Sequence, residues 1–507
     1  MKVKSICILG GGSAGFFAAA YLSRYIELSG HDIKVKCVYS SKIGNIGVGE
    51  STFFKVKTFF KYLGLDDKEW MPKCDATYKT SVCLDSWKDK ETVYQYPFGE
   101  SKTYHSLNHA DFFILNTLFP EKVKTEDFSR FINKVSRSAE NNRLSDSYIP
   151  FTSYHFDTNK VAIYLKDYAS NRGVEFVDDV YTDSVVDDSG NIGKIICEHS
   201  EHSADLFIDA SGFKGLLIDK VLGVKFNSFE ETLINNKALV VKIPYTDKDS
   251  QMANFTRCTA LENGWCWEIP LWESVSIGYV HSLRFSNEEY IENEFRKFVK
   301  RKYGVDNFEY KTIEYKSGVR EYPWYKNVCS IGLSCGFIEP LESTGIATIV
   351  ENCYRLTEVL SKRSGNITSL DKSFFNEAIV SEIVGYRKFI ELHYAASLRD
   401  DSAYWKFVTG ECEYEYSGSM QEALNTSIFT RNYTDKISGA PYILTGSGYT
   451  PYNKSDDYEY FHNNPVKRLD AEKKLEYWLD LDKEETDIIN AERTTYKYTL
   501  DEVYSGS

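Results

Sequence analysis

The chain has 507 residues, enough to bury a large core and to form two structural units or one with a large appendage. Its content of 42% hydrophobic and 26% charged residues is that of a globular protein, and a formal net charge of −14 argues against a nucleic-acid partner, which needs a basic face. No apolar run approaches the ~18 residues that a membrane span requires, so no membrane partner is expected.

Eleven cysteines are scattered without a Cys-x-x-Cys pair, the pattern of reduced thiols in a cytoplasmic protein. His105 and His109 are four apart, but no Glu or Cys cluster accompanies them, so no metal site is expected. The aromatic share of 15% suits aromatic-lined clefts.

In chain order, residues 3–9 read as a buried strand, followed at once by Gly10-Gly11-Gly12-Ser13-Ala14-Gly15 and an Ala-rich helix. Strand, glycine turn and helix in that order form a dinucleotide fingerprint. Gly10 permits the tight turn, Gly12 the approach of a pyrophosphate, and Gly15 close helix–strand packing. The second strand, Ile33 to Tyr39, should end in an acid for the ribose hydroxyls, yet here it ends in Tyr39, Ser40 and Ser41. A second Gly-rich loop, Ile46-Gly47-Val48-Gly49-Glu50, leads into a helix whose buried stripe is Val56, Phe59, Phe60 and Leu63, with Gly64 as C-cap. Asp75 to Lys79 then precedes a strand-like run, and nothing local distinguishes Lys79 from a solvated lysine.

Residues 100–150 are poorly periodic and read as an insertion. Leu206 to Ile208 is a strand running into Asp209-Ala210-Ser211-Gly212, either an ordinary turn or one that lets backbone pass close to a cofactor. In Gly264-Trp265-Cys266-Trp267-Glu268-Ile269-Pro270, Trp265 and Trp267 share one face of a strand, as sheet core or as an aromatic wall. Pro340-Leu341-Glu342-Ser343-Thr344-Gly345 opens a helix with Ile346, Ile349, Val350, Cys353, Leu356 and Leu360 on one face. Ser343 or Thr344 is the natural N-cap, and the free N–H groups of such a helix start suit an anion. A long helix spans Ser373 to His393, and a mostly helical tail follows from about residue 400.

These blocks, with Asp209 to Ile218, His393-Tyr394 and Arg399 to Ser402, resemble in content and order the flavin-dependent halogenases of the tryptophan-halogenase type, from the glycine start to roughly residue 410. The resemblance implies an α/β (α+β) fold: an FAD-binding Rossmann-like domain of the flavin monooxygenase type over residues 1–100 and 151–400, with a mostly helical substrate-binding cap over 101–150 and 401–507.

It further implies that FAD is bound by Gly10, Gly12, Ser13, Ala14, Gly15, Gly47, Val48, Gly49, Glu50, Asp209, Gly212 and Ile346, and halide by Thr344 and Gly345. Trp265, Trp267, Ile269 and Pro270 would wall the flavin off from organic substrate. Lys79, Glu342 and Ser343 would be catalytic: reduced FAD, O2 and halide yield hypohalous acid, Lys79 presents the halogen as a hydrogen bond donor or a haloamine, and Glu342 takes the ring proton. A separate flavin reductase would supply FADH2, since no second fingerprint for NAD(P)H is found; a homo-oligomer is compatible with all of this. The substrate would be a small indole- or phenol-like aromatic, in a pocket to which His105, Tyr442 and Tyr449 are candidates outside the catalytic set. The alternatives are an aromatic monooxygenase that uses no halide, and a flavin-binding protein without turnover.

Overall fold

The computed structural model describes residues 2–44, 47–98, 107–133, 135–144, 146–362, 366–414, 439–450, 459–491 and 496–505. Five sheets and the helices between them make a mixed α/β architecture. The first sheet has six strands in the order Trp324–Tyr325, Val328–Ser330, Leu206–Asp209, Ser5–Leu9, Lys34–Tyr39 and Glu175–Asp178. All its pairs are parallel except the first, so the strands end at one edge, where a doubly wound sheet binds its ligand. The helix Ser13–Ser29 starts at that edge and buries Phe16, Phe17, Ala18, Ala19 and Ala20. Small residues there let it lie close to the sheet.

The second large sheet has seven strands, with Gly264–Pro270 near its middle between Ser274–His281 and Thr256–Leu261. Every residue of the Gly264–Pro270 strand is buried, Glu268 included, so both faces of the strand are covered. A small third sheet is formed by Gly49–Ser51, Ser153–Asp157 and Thr77–Lys79. Its register sets His155 opposite both Ser51 and Thr77. Since strand side chains alternate, Ser51, His155, Thr77 and Lys79 share one face.

Residues 107–140 are more regular than their weak periodicity predicts. They hold the helices His109–Leu118, Phe128–Ile132 and Val135–Glu140. Short helices that bury aromatics on several sides show no single apolar stripe. Phe112, Phe113, Phe128 and Phe131 from this segment share a core with Tyr442, Leu475 and Trp478, so distant parts of the chain pack as one cluster. Arg137 is buried and pairs with Asp482 at 2.9 Å and Glu485 at 2.7 Å across that cluster.

The helix Tyr496–Tyr504 packs against the main core instead. Its Tyr496 donates to the Tyr78 carbonyl at 2.5 Å and Tyr504 to that of Ala76 at 2.9 Å, bracing the strand that carries Lys79. All eleven cysteines are free thiols, and ten are buried. Among the described residues no helix is long and apolar enough to cross a membrane.

Candidate active site

At the edge of the parallel sheet, Gly10 has φ +129°, and a Cβ there would sit 2.2 Å from the Ala210 carbonyl oxygen. A Cβ on Gly15 would meet the Gly10 carbonyl oxygen at 1.9 Å. Both glycines are therefore forced by backbone contact, as the fingerprint requires. Gly12 is the N-cap of the Ser13–Ser29 helix, and no side chain caps that helix start, so the N–H groups of Ser13, Ala14 and Gly15 keep their anion-binding character.

Opposite, Gly212 has φ +71°, and a Cβ there would meet nothing within 4 Å. A Cβ on Gly345 would likewise meet nothing within 4 Å. Gly47 (φ +60°) would carry a Cβ into Asn159, and Gly49 one into Ser276. Val48 is half-buried, and its carbonyl accepts from the Thr158 backbone N–H. Glu50 is half-buried and accepts no hydrogen bond from the described residues; desolvation raises its carboxyl from the usual range to about 7.

Two expected cofactor residues have their side chains engaged within the protein. The Asp209 carboxylate is spent locally: it accepts from the Ser211 N–H and hydroxyl and from the Leu217 and Ile218 N–H groups. Its carboxylate thus builds the turn that carries Gly212 and has no open position for a ligand. The Ile346 side chain is 2% exposed in the main core, which leaves only its backbone to face a ligand.

The second strand does end at Tyr39, whose hydroxyl accepts from Lys166 at 2.7 Å. An acid nevertheless stands there: parallel pairing puts Asp178 of the next strand beside Tyr39, and Ser41 N–H donates to it at 2.9 Å.

At the start of the Thr344–Ser361 helix, Ser343 occupies the N-cap position in the left-handed region, with φ 59° and ψ 34°. Its hydroxyl does not cap. It accepts from Lys79 Nζ at 2.9 Å and donates to Ser51 Oγ at 2.8 Å. A non-glycine residue held there costs about 1–2 kcal/mol, a strain that tertiary contacts must offset. The consequence is a helix start, at Thr344 and Gly345, without a side-chain cap and with space beside it.

Lys79 is fully buried. Among the described residues its ammonium hydrogen-bonds only Ser343 and faces the Phe98 ring at 4.9 Å. Burial pulls its pKa down to about 8, against the opposing pull of Glu342 and Cys258. Glu342 is 7% exposed, and its Oε1 lies 2.8 Å from His393 Nε2. His393 Nδ1 faces the Phe389 carbonyl at 2.8 Å and must carry a proton. One proton is therefore held between Nε2 and the carboxylate. His393 had no assigned role in the sequence; its His393-Tyr394 block was visible, but its partner lies 51 positions away.

Trp265 and Trp267 stand side by side with ring centroids 6.3 Å apart, and both indole N–H groups are buried without a partner among the described residues. Trp267 lies over Gly278, where a Cβ would come within 2.0 Å of its ring. Trp265 neighbours Trp87, whose ring is edge-on to His393. Ile269 and Pro270 are buried beyond them on the strand. The Trp pair is thus packed in the core, and Trp265 is linked to His393 by way of Trp87.

Of the pocket candidates, His105 lies outside the described residues, Tyr442 is packed between Tyr96 and Phe128, and Tyr449 is half-buried. His109 packs on Phe128. Among the described residues the one metal-type cluster is Asp179, Glu198 and His199, where Asp179 is already occupied by Ser200, Val180 and His199 N–H.

Comparison with known proteins gives the family. The tryptophan halogenase family profile matches residues 5–443. The 7-chloro-L-tryptophan 6-halogenase KtzR of Kutzneria sp. (strain 744) is 33% identical over 423 residues, covering 79% of this chain and 80% of its own. The solved apo structure of VirX1 superposes with TM-score 0.89 at 32% identity, over 99% of this chain and 100% of that one. The tryptophan 6-halogenase SttH of Streptomyces toxytricini gives 0.84 at 28% identity, with the same coverage. With a fingerprint start, an uncapped helix beside a buried lysine, and relatives matched along the chain's length, the protein belongs to the tryptophan halogenase family and is a flavin-dependent halogenase.

Proposed function

We propose that the enzyme halogenates a small electron-rich aromatic, indole- or phenol-like, with FADH2 supplied by a separate reductase. The observation that carries this is the meeting of Lys79, Ser343 and the Glu342–His393 pair at one uncapped helix start.

The residues present fit the cofactor. Gly10, Gly12 and Gly15 with the open N–H groups of Ser13 and Ala14 hold the pyrophosphate, and Asp178 stands where a ribose hydroxyl needs an acid. Gly47, Val48, Gly49 and Gly212 supply backbone, and Glu50, held near neutrality, supplies a carboxyl able to donate or accept. Bound reduced FAD, with O2 and halide, supplies hypohalous acid.

The N–H groups of Thr344 and Gly345 hold the halide in the space beside Gly345, with the positive end of the helix dipole behind them. Trp265 and Trp267 form a surface without an acid or base to activate an organic substrate, which keeps the aromatic on the Lys79 side. There Lys79 binds the oxidant by its N–H groups, and Ser343 fixes the direction of its Nζ. Glu342, oriented by His393, stabilises the cationic ring and takes its proton. Relatives named as tryptophan halogenases support an indole-type substrate. Buried free thiols suit a reducing compartment such as the cytoplasm.

The test is reconstitution with FAD, a flavin reductase, NADH, oxygen and a panel of indoles and phenols, with chloride, bromide or iodide supplied singly. A halogen mass shift that needs the protein, reduced flavin and halide is expected. An oxygen mass shift independent of halide would instead make the enzyme a monooxygenase.

A further inference from the structure

Lys79 is carried by a short strand at the rim of its sheet. Thr77–Lys79 spans three residues and pairs with Ser153–Asp157, which makes it the outer strand of the three. Backbone carbonyls along a strand alternate in direction, so those of Ala76 and Tyr78, two apart, face the same way. Among the described residues both are met by hydroxyls and not by a further strand. The Tyr78 carbonyl accepts from Tyr496 at 2.5 Å. The Ala76 carbonyl accepts from Tyr504 at 2.9 Å, a proton shared with the Met71 carbonyl at 3.3 Å. A tyrosine hydroxyl donates where a neighbouring strand would have offered an N–H. The helix Tyr496–Tyr504 thus takes the place of a fourth strand.

Packing fixes that helix independently of the two bonds. Tyr496, Thr499, Leu500 and Val503 are buried, and with Tyr504 they recur at the spacing of one helix face. Thr499 donates to the Leu144 carbonyl at 2.5 Å, and the Tyr504 ring stacks on Trp272 with centroids 4.1 Å apart. The face that fills the core therefore also delivers both hydroxyls. It lies beyond residue 443, where the match to the family profile stops.

The side chains before Lys79 are tied elsewhere: the Tyr78 hydroxyl donates to Asp67 at 3.0 Å, and that of Thr77 to the Pro270 carbonyl at 2.6 Å. Lys79 itself has a long flexible stem and, among the described residues, one hydrogen-bond partner, Ser343. Where its Nζ can reach is thus set by the backbone from which the stem departs. The Tyr78 carbonyl and the Lys79 N–H belong to one rigid peptide plane. A hydrogen bond to that carbonyl fixes the plane, and with it the direction in which Lys79 leaves the strand.

We propose that Tyr496, seconded by Tyr504, is a positioning residue for halogen transfer: its hydroxyl holds the Tyr78–Lys79 peptide plane and so aims Lys79 Nζ at Ser343 and the substrate. The inference rests on the reading of Lys79 as the group that binds the oxidant. Production of oxidant at the flavin does not need the aim, so its loss uncouples transfer from flavin oxidation.

Tyr496→Phe removes one oxygen and keeps the ring in the core. With FAD, a flavin reductase, NADH, oxygen, bromide and an indole, its FAD affinity, flavin oxidation and indole KM should match the wild type. Brominated product per flavin oxidised should fall by roughly 3–10-fold, a fraction of the hundredfold that a misplacement of about 1 Å can cost. Tyr504→Phe acts one peptide farther back and should lose less. Thr499→Val is the matched control, because it deletes an equivalent hydrogen bond of the same helix to a carbonyl outside the Lys79 strand. It should lower Tm while leaving product per flavin at the wild-type value.

A wild-type product ratio in Tyr496→Phe would overturn the positioning role, as would an equal loss in Thr499→Val. If Tyr496→Phe does not fold, Tyr504→Phe against Thr499→Val makes the same comparison, and equal ratios would overturn the role. Lys79→Ala in the same assay separates the two claims. An inactive Lys79→Ala beside an unaffected Tyr496→Phe sinks the positioning role alone, whereas an active one sinks the role of Lys79 as well.

Discussion

Lys79 is an amine buried at the expense of the fold. A methionine of similar length would fill the same space without a charge to desolvate. Lys79→Met should therefore abolish halogenation yet stabilise the protein, by about 1–4 kcal/mol on the precedent of buried charges replaced by apolar groups. The effect has a definite pH sense. The folded-state pKa is about 8, below that of an unfolded lysine, so between about 8 and the ordinary lysine range the unfolded chain binds the extra proton. Stability contributed by this group thus rises with pH across that window, and the Tm gap between Lys79→Met and wild type should narrow from pH 7 to pH 10. A gap constant with pH would show that the ammonium is not desolvated. Glu342→Gln keeps the contact to His393 but cannot take a proton. Halogenation should slow by roughly 100-fold or more, with FAD affinity unchanged, as read by steady-state product formation and flavin titration.

At the scale of elements, what the chain announces locally was legible and what depends on remote partners was not. The glycine start, the buried Trp265 strand and the stripe from Ile346 to Leu360 obey spacing rules, and the structure follows them. Ser343 looked like a helix cap because it has the cap's residue type and position. Its hydroxyl is drawn away by Lys79, 264 positions earlier, a contact that no local pattern encodes. His393 was illegible as a site residue for the same reason, and the acid beside Tyr39 arrives from a strand that pairs only in the fold. The helices within 107–140 were hidden by burial on several faces.

Two glycines test the elements directly. Gly345→Ala places a methyl in open space, so the fold should be unaffected while the KM for halide rises. A lowered stability with unchanged halide KM would put the halide elsewhere. Gly278→Ala drives a methyl into the Trp267 ring, and overpacking of that kind costs about 1–3 kcal/mol. Its measured signature should be a lower Tm together with more peroxide released per product, since the displaced indole no longer seals the wall.

The whole molecule places the glycine edge, the tryptophan pair and the buried lysine on three different sheets. Binding FAD should therefore stabilise the entire main core: at a hundredfold excess over Kd the gain is about 2.7 kcal/mol, visible as a rise in Tm with FAD and none with NADH.

The central claim, that oxidant made at the flavin is handed to Lys79 for transfer to an aromatic ring, is tested most directly by one comparison. Wild type and Lys79→Ala are charged with reduced FAD, mixed with oxygen, bromide and an indole, and followed both by flavin absorbance and by mass spectrometry of the products. The account predicts equal flavin oxidation in both proteins and brominated indole from the wild type alone. Brominated indole from Lys79→Ala at the wild-type yield would contradict it.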